Sequence, residues 1–351
     1  MNDPVIHATR KPTVNDIARV AGVSLATVDR VLNGRAGVRS TTIERVNDAI
    51  NELGYVRDTA AANLARGRVY QLVFLLPETN NEFVELLQRE IDGQAVPMAL
   101  DRTQVRKVLL PPFDPGALVA ALDDLDASQT DGAAVFGPET PKVCDAVNRA
   151  RERGIAVVAL VSDLPNSMRD HFIGIDNVAA GRTAAQLLGR FMGGTGQVLV
   201  ITGSSLARDH VERRTGFDAL MAKTFPNLDV VSVIEGRDDP NAVRQQLPVV
   251  FRAYPNLNGI YSSAAGNPGL VDFLNEIDAG DRITVIAHDL TKTARNALVA
   301  GVFDALISQN EGHLIRSAVR LLKATADKRP FDHTQERIRT DIYLKENLPP
   351  V

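Results

Sequence analysis

Three bursts of apolar residues at helical spacing open the chain. Val14, Ile17, Ala18 and Ala21 fall on one helical face, and Thr13 followed by Asp16 supplies a start close to a capping box. Gly22 stops that helix. Val23 leads to a second cap at Ser24, with Val23 and Val28 placed for a hydrophobic staple. The second helix turns Val28, Val31 and Leu32 inward. Its other stripe is Ala26, Asp29, Arg30 and Asn33, with Leu25 at the leading end. A third start at Thr41-Thr42-Ile43-Glu44 carries Ile43, Val46, Ile50 and Leu53, and Gly54 is a natural stop. Two short helices joined by a tight turn, with a third closing the core, make a helix-turn-helix module.

From Gln71 onward the period changes, and short apolar runs alternate with helical patterns. The runs predict strands at Gln71–Leu76, Arg106–Leu110, Gly132–Phe136, Ala156–Val161, Phe172–Ile175, Gln197–Thr202, Val230–Glu235, Gly259–Ser262, Thr284–His288 and Ala305–Ser308. Between them the spacing predicts helices at Glu82–Ile91, Pro115–Leu125, Pro141–Arg153, Ala179–Met192, His210–Thr224, Asn241–Ala253, Pro268–Ile277, Thr291–Ala300 and Gly312–Lys323. Such alternation means parallel sheets covered by helices on both faces. So many strands suit two lobes, with crossings near Ile175-Asp176 and Ser308-Gln309 and a last strand over Ile338–Asn347.

In open α/β sheets ligands gather at the C-terminal ends of strands, and two such rims would face one cleft. The strand exits offer Asn80, Asn81 and Phe83, then Glu139, Asp176, Asn267, Asp289 and Gln309; Arg213 opens the helix after Gly203. Asp, Asn, Arg and Gln side chains bind hydroxyls in pairs, and an aromatic face such as Phe83 can cover a sugar ring. A small sugar or related polar metabolite is therefore the expected effector.

The head carries a resemblance. Thr13-Val14-Asn15-Asp16-Ile17-Ala18, Ala21-Gly22-Val23-Ser24 and Thr27-Val28-Asp29-Arg30-Val31-Leu32-Asn33 look like the start of the lactose-repressor (LacI/GalR) family of bacterial transcriptional regulators. Val38 to Thr42 and Leu53-Gly54-Tyr55 continue the pattern in the same spacing. A helix-turn-helix puts its second helix in the major groove, reading an operator with Leu25, Ala26, Arg30 and Asn33; Ser24, Thr27, Arg30 and Asn33 are alternatively phosphate ligands, with Arg35 and Arg39 reaching the backbone. Thr13, Val14 and Val38 complete the DNA-binding set that the resemblance implies. It further implies a hinge over 59–68 whose Leu64 enters the minor groove; a plain linker is the other reading. Two positions depart. Asp29 stands where the family usually has serine, and needs a partner such as Arg30 or a cytosine amine. Ala62 stands where many members have arginine. The body then resembles the sugar-binding core that this family shares with periplasmic binding proteins.

The resulting plan is a DNA-binding domain at 1–58, the hinge at 59–68, and a two-lobed effector-binding and dimerisation domain at 69–351. The expected partners are double-stranded operator DNA, a small polar effector and a second copy, as a dimer or a pair of dimers. Whether the effector releases or strengthens DNA binding stays open. Charge agrees with this division: through Arg68 there are ten basic against seven acidic residues, and in the remainder 29 against 36. No run approaches a membrane span, and Met1 to Arg10 lacks the apolar core of a secretory signal, so the expectation is the cytoplasm. The one cysteine, Cys144, reads as a small apolar residue.

Enzyme chemistry finds no support. Gly193-Gly194-Thr195-Gly196 lacks the Lys-Ser/Thr of a phosphate loop, the six histidines are scattered, and Ser204, Ser205, Asp209 and His210 come without a nucleophile elbow. No cofactor or metal is expected. A transport-type solute-binding protein shares the body but not the head, and remains the alternative.

Overall fold

The computed structural model describes residues 12–32, 35–55, 67–279 and 282–350. It divides into two compact units, Met1–Arg68 and Val69–Val351.

The first unit holds α1 (Val14–Ala21), α2 (Leu25–Leu32) and α3 (Ser40–Leu53). The Thr13 N–H and Oγ both donate to Asp16 Oδ2, at 2.9 and 2.8 Å, which fixes the start of α1. Gly22, at φ +61°, ends it. Ile17, Ala21, Val28, Val46 and Ala49 form the core, one apolar stripe from each helix. Arg45 of α3 donates to the carbonyls of Ala21 and Gly22, tying the third helix to the turn between the first two. The third helix begins at Ser40, one residue before the expected start. Asp29 pairs with Arg35 at 3.4 Å rather than with Arg30, which leaves Arg30 exposed on the outer stripe.

In the second unit β1 (Tyr70–Pro77), β2 (Thr103–Leu110), β3 (Gly132–Val135), β4 (Ala156–Leu160) and β5 (His171–Ile173) form a parallel sheet ordered β2-β1-β3-β4-β5. The other sheet joins β6 (Thr195–Thr202), β7 (Asn227–Glu235), β8 (Leu257–Ser262), β9 (Thr284–His288), β10 (Ala305–Gln309) and β11 (Thr340–Tyr343) in the order β11-β10-β9-β8-β6-β7. Only β11 runs antiparallel to its neighbour.

Helices cover both faces: α4 (Glu82–Gly93), α5 (Ala95–Leu100), α6 (Pro115–Asp123) and α7 (Pro141–Glu152) in the first lobe; α8 (Asn177–Phe191), α9 (Arg208–Thr224), α10 (Pro240–Ala253), α11 (Asn267–Glu276) and α12 (Lys292–Ala300) in the second. α13 (Glu311–Ala326) returns to the first lobe and packs on β3 and β4. The strands are buried on both sides, as parallel sheets require: Leu72, Phe74 and Leu76 of β1 enter one core, while Val73 and Leu75 enter another.

Several boundaries shift by one to three residues, and two elements differ in kind from the sequence expectation. α5 has the sequence AVPMAL, with a proline and a single buried residue, Met98, so no apolar stripe announces it. The span Ile338–Asn347 is not one strand. After β11 the Asn347 side chain accepts the Leu344 N–H at 2.6 Å and turns the chain into a short 3-10 helix, Lys345–Asn347.

Candidate functional site

The C-terminal rims of both sheets face one cleft, and among the described residues four residue pairs make polar contacts across it. Arg208 Nη1 meets Glu139 Oε2 at 2.8 Å, Thr293 Oγ donates to Glu82 Oε1 at 2.8 Å, Asn81 Nδ2 donates to Asp238 Oδ2 at 3.4 Å, and the Asp209 N–H donates to Ser162 Oγ at 3.4 Å. One compartment is lined by Asn80, Asn81, Phe83, Asn267, His288 and Asp289 among others.

Arg213 is only 2% exposed and lies behind the cleft lining, close enough for its charge to act on His288 and Asp289. Its Nε donates to Asn177 Oδ1 and its Nη1 to the Ser263 carbonyl, both at 2.9 Å. Two glycines make this possible. A Cβ on Gly181 of α8 would lie 1.9 Å from the Arg213 carbonyl oxygen, and one on Gly216 of α9 would lie 2.0 Å from the Val178 carbonyl oxygen. The two helices therefore touch backbone to backbone, which brings the guanidinium of one to the first residue of the other.

Asp289 adopts φ +65°, strained for a residue other than glycine. Burial pushes its carboxyl up to about 6, against the pull of the nearby Arg213 charge. Gln309 lies close enough to favour the ionised form, yet neither polar atom of its amide finds a well-directed hydrogen bond. His288 is held well below the usual imidazole range by burial and by Arg213, so its ring stays neutral. Its Nε2 lies 3.0 Å from the Tyr261 hydroxyl, and Tyr261 stacks on Phe217 at 4.5 Å. Asn267 accepts from Ser262 Oγ at 2.8 Å and donates to the His288 carbonyl at 3.3 Å. A set of buried polar atoms has no partner: Asn177 Nδ2, His288 Nδ1, Asp289 Oδ1, and Gln309 Nε2 and Oε1.

The structure thus brings Phe83, Asn267 and Asp289 onto the buried lining of the cleft, with Asn80 on its exposed rim, and buries Arg213 and Gln309 behind that lining, near Asp289. Two residues expected beside them stand elsewhere. Asp176 is exposed, and its carboxylate caps α8 by accepting the Ala179 N–H at 2.8 Å; the buried group facing Arg213 is its neighbour Asn177. Glu139 spends its carboxylate on Arg208 and Asn166. Sequence reading passed over Asn177, Asp238 and His288. Asp238 follows the exit of β7, where the strand-end rule applied to every strand would have found it.

In the head, Leu25 is 50% exposed although apolar. Ser24, Ala26, Asp29 and Arg30 share its exposed surface, whereas Thr27 is half-buried, its hydroxyl 2.9 Å from Ser24 Oγ. Val14 is exposed at the start of α1, and Thr13 and Val38 are half-buried. Asn33 and the hinge with Leu64 lie outside the described residues.

Comparison with known proteins fits both units. Residues 13–58 match the family described as bacterial regulatory proteins, lacI family, and residues 72–330 match a periplasmic binding protein domain. Among curated relatives are the HTH-type transcriptional regulator DegA of Bacillus subtilis, 26% identical over 65% of this chain, and catabolite control protein A of Streptococcus mutans, 29% identical over 51%. The HTH-type transcriptional regulator GntR of Pseudomonas aeruginosa is 41% identical over 25%. The matched stretches span 66%, 51% and 26% of those proteins.

Among solved structures, an ABC transporter solute-binding protein from Burkholderia graminis in complex with D-arabinose superposes with a TM-score of 0.73, at 26% identity over 80% of this chain and 96% of its own. GanP, a glucose-galactose binding protein from Geobacillus stearothermophilus, shares the fold with a TM-score of 0.72, at 20% identity over 81% of this chain and 100% of its own. No helix among the described residues is long and apolar enough to cross a membrane. The chain belongs to the periplasmic binding protein domain family through residues 72–330, and it carries at 13–58 a DNA-binding domain of the lacI family of bacterial regulatory proteins.

Proposed function

We propose that this protein is a cytoplasmic transcription regulator, acting as a repressor, that binds a palindromic operator as a homodimer and answers a small polyhydroxylated effector held between its lobes. The observation that carries the sensing half is the set of unpartnered buried atoms on Asn177, His288, Asp289 and Gln309. A buried polar group left without a partner costs about 1–3 kcal/mol. These groups mix donors with acceptors, and a hydroxyl is both. A sugar-like ligand satisfies them together, with Phe83 against its ring and Arg213, Asn267 and Asp289 on its hydroxyls. The relative solved with D-arabinose supports the same class.

For the DNA half, the exposed stripe of Leu25, Ala26 and Arg30 supports groove reading, with Ser24 and Thr27 at phosphates. Thr13, Val14 and Val38 belong to the same proposed surface, as do Asn33 and Leu64 outside the described residues. One head reads one half-site, so a twofold operator calls for two copies. Val96 and Leu100, 71% and 83% exposed beside the edge strand β2, offer an apolar face for self-association. The four contacts across the cleft supply the coupling, since a ligand that favours the closed lobes shifts the chain toward that state by its differential affinity. A transport role remains the second reading on the likeness to solute-binding proteins; the matched head at 13–58 favours regulation. Calorimetry of the full chain with D-arabinose, D-glucose, D-galactose and D-ribose, beside gel shifts on DNA flanking its own gene, tests both halves. Binding of neither a sugar nor DNA would refute the proposal.

A further inference from the structure

A second compartment of the cleft borders the first. Asn81 and Asp238 line both. One wall of the second is apolar, with Val84, Phe113 and Phe136, and the other carries Asp209, His210 and Asp238. Asp209 is 3% exposed, and its Oδ1 meets no hydrogen-bond partner. His210 Nδ1 accepts the Ser204 N–H at 3.1 Å, so the ring proton sits on Nε2, which lies 3.5 Å from Asp209 Oδ2 and 3.9 Å from Asp238 Oδ1. The cluster is built into the backbone. A Cβ on Gly203 would lie 2.2 Å from His210 Cε1 and 2.7 Å from Asp238 Oδ1. Phe113 and Asp238, on opposite walls, both hold left-handed φ angles, +55° and +58°.

The charge in this compartment is unbalanced. Two carboxylates face one imidazole, and no lysine or arginine is among the lining residues. Burial raises the Asp238 carboxyl above its usual range, helped by the Asp209 charge and opposed by His210 and by Arg213, which lies outside this lining. A hydroxyl would offer Asp209 Oδ1 one donor and leave the charge uncompensated. An ammonium offers three donors and cancels a charge.

We infer that the effector is an extended molecule, its hydroxylated part in the compartment of Asn267 and Asp289 and an apolar group bearing a protonated amine between Phe113, Phe136 and Asp209. This inference rests on the polyhydroxylated reading above for its first half. It adds the second subsite and the cation.

The test is calorimetry on the full chain with three sets of probes built on the same pentoses and hexoses: the free sugars, their 4-(hydroxymethyl)phenyl glycosides and their 4-(aminomethyl)phenyl glycosides. For a sugar that binds, the aminomethyl glycoside is expected to bind about tenfold or more tightly than its hydroxymethyl counterpart. Asp209→Asn should remove that preference. Equal or weaker binding of the amine in the unaltered protein overturns the inference even if Asp209→Asn fails to fold. Bound free sugars in that case leave the polyhydroxylated reading standing. A chain that binds none of the three sets refutes that reading and the inference with it.

Discussion

Arg213 Nε donates to Asn177 Oδ1 across 2.9 Å, so the guanidinium of α9 is anchored by the first residue of α8. Both groups are buried, and the remaining amide nitrogen of Asn177 has no partner. The pair is thus fixed on one side and keeps an unpartnered donor, Asn177 Nδ2, on the other. Arg213→Ala should weaken effector binding about tenfold to a hundredfold, the loss of one charged hydrogen bond. Calorimetry measures it. Operator affinity without effector should stay near that of the unaltered protein.

Asp289 gives a pH dependence with a definite sign. Its folded carboxyl, at about 6, binds a proton more tightly than an unfolded aspartate near 4. Its contribution to stability is therefore present below about pH 4 and lost as pH rises through about 6. Denaturant unfolding from pH 4 to pH 8 should show Asp289→Asn gaining stability relative to the unaltered chain toward the alkaline end. Effector affinity should run the other way and fall below about pH 6, as the carboxylate that accepts ligand hydroxyls becomes protonated.

Glu139 and Arg208 join the two lobes at 2.8 Å, and the Glu139 carboxylate is already engaged by Arg208 and Asn166. The pair is partly buried, but its arginine keeps a third of its side chain in solvent, and such a pair is worth about 1 kcal/mol. Glu139→Gln should therefore weaken effector binding by no more than about fivefold. A loss as large as that of Arg213→Ala, measured with the same sugar, would instead put the Glu139 carboxylate on the ligand.

On α2, Arg30 projects from an exposed stripe and its neighbour Asp29 is engaged by Arg35. A bidentate base contact by Arg30 implies that Arg30→Ala costs about 1–3 kcal/mol on the specific site and relaxes the sequence preference there. Footprinting and affinity on specific and random DNA measure this. Unchanged values would remove the recognition role from α2.

Much of this architecture was legible in the sequence because periodicity is a direct image of burial. The runs behind β1 and β4 are apolar throughout, since both faces of those strands are covered, and Ile17, Val28 and Val46 repeat with the pitch of the helices that bury them. α5 was not legible, because a helix with one buried side chain leaves no stripe. Strand exits pointed to Arg213, Asp289 and Gln309, where the topology alone sets the location. The choice between Asp176 and Asn177 was beyond that rule. Adjacent residues at a helix start differ by about 100° in direction, and the approach of α9 through Gly181 and Gly216 selects which one faces inward.

The most direct measurement is a titration of the full chain on an operator mapped next to its own gene, with and without a sugar that calorimetry shows to bind the cleft. The account predicts protection of an approximate inverted repeat and a change in operator affinity of about tenfold or more on adding the sugar. It predicts that Asp289→Ala keeps the first result and loses the second. A sugar that binds tightly in the cleft and leaves operator affinity unchanged would contradict it.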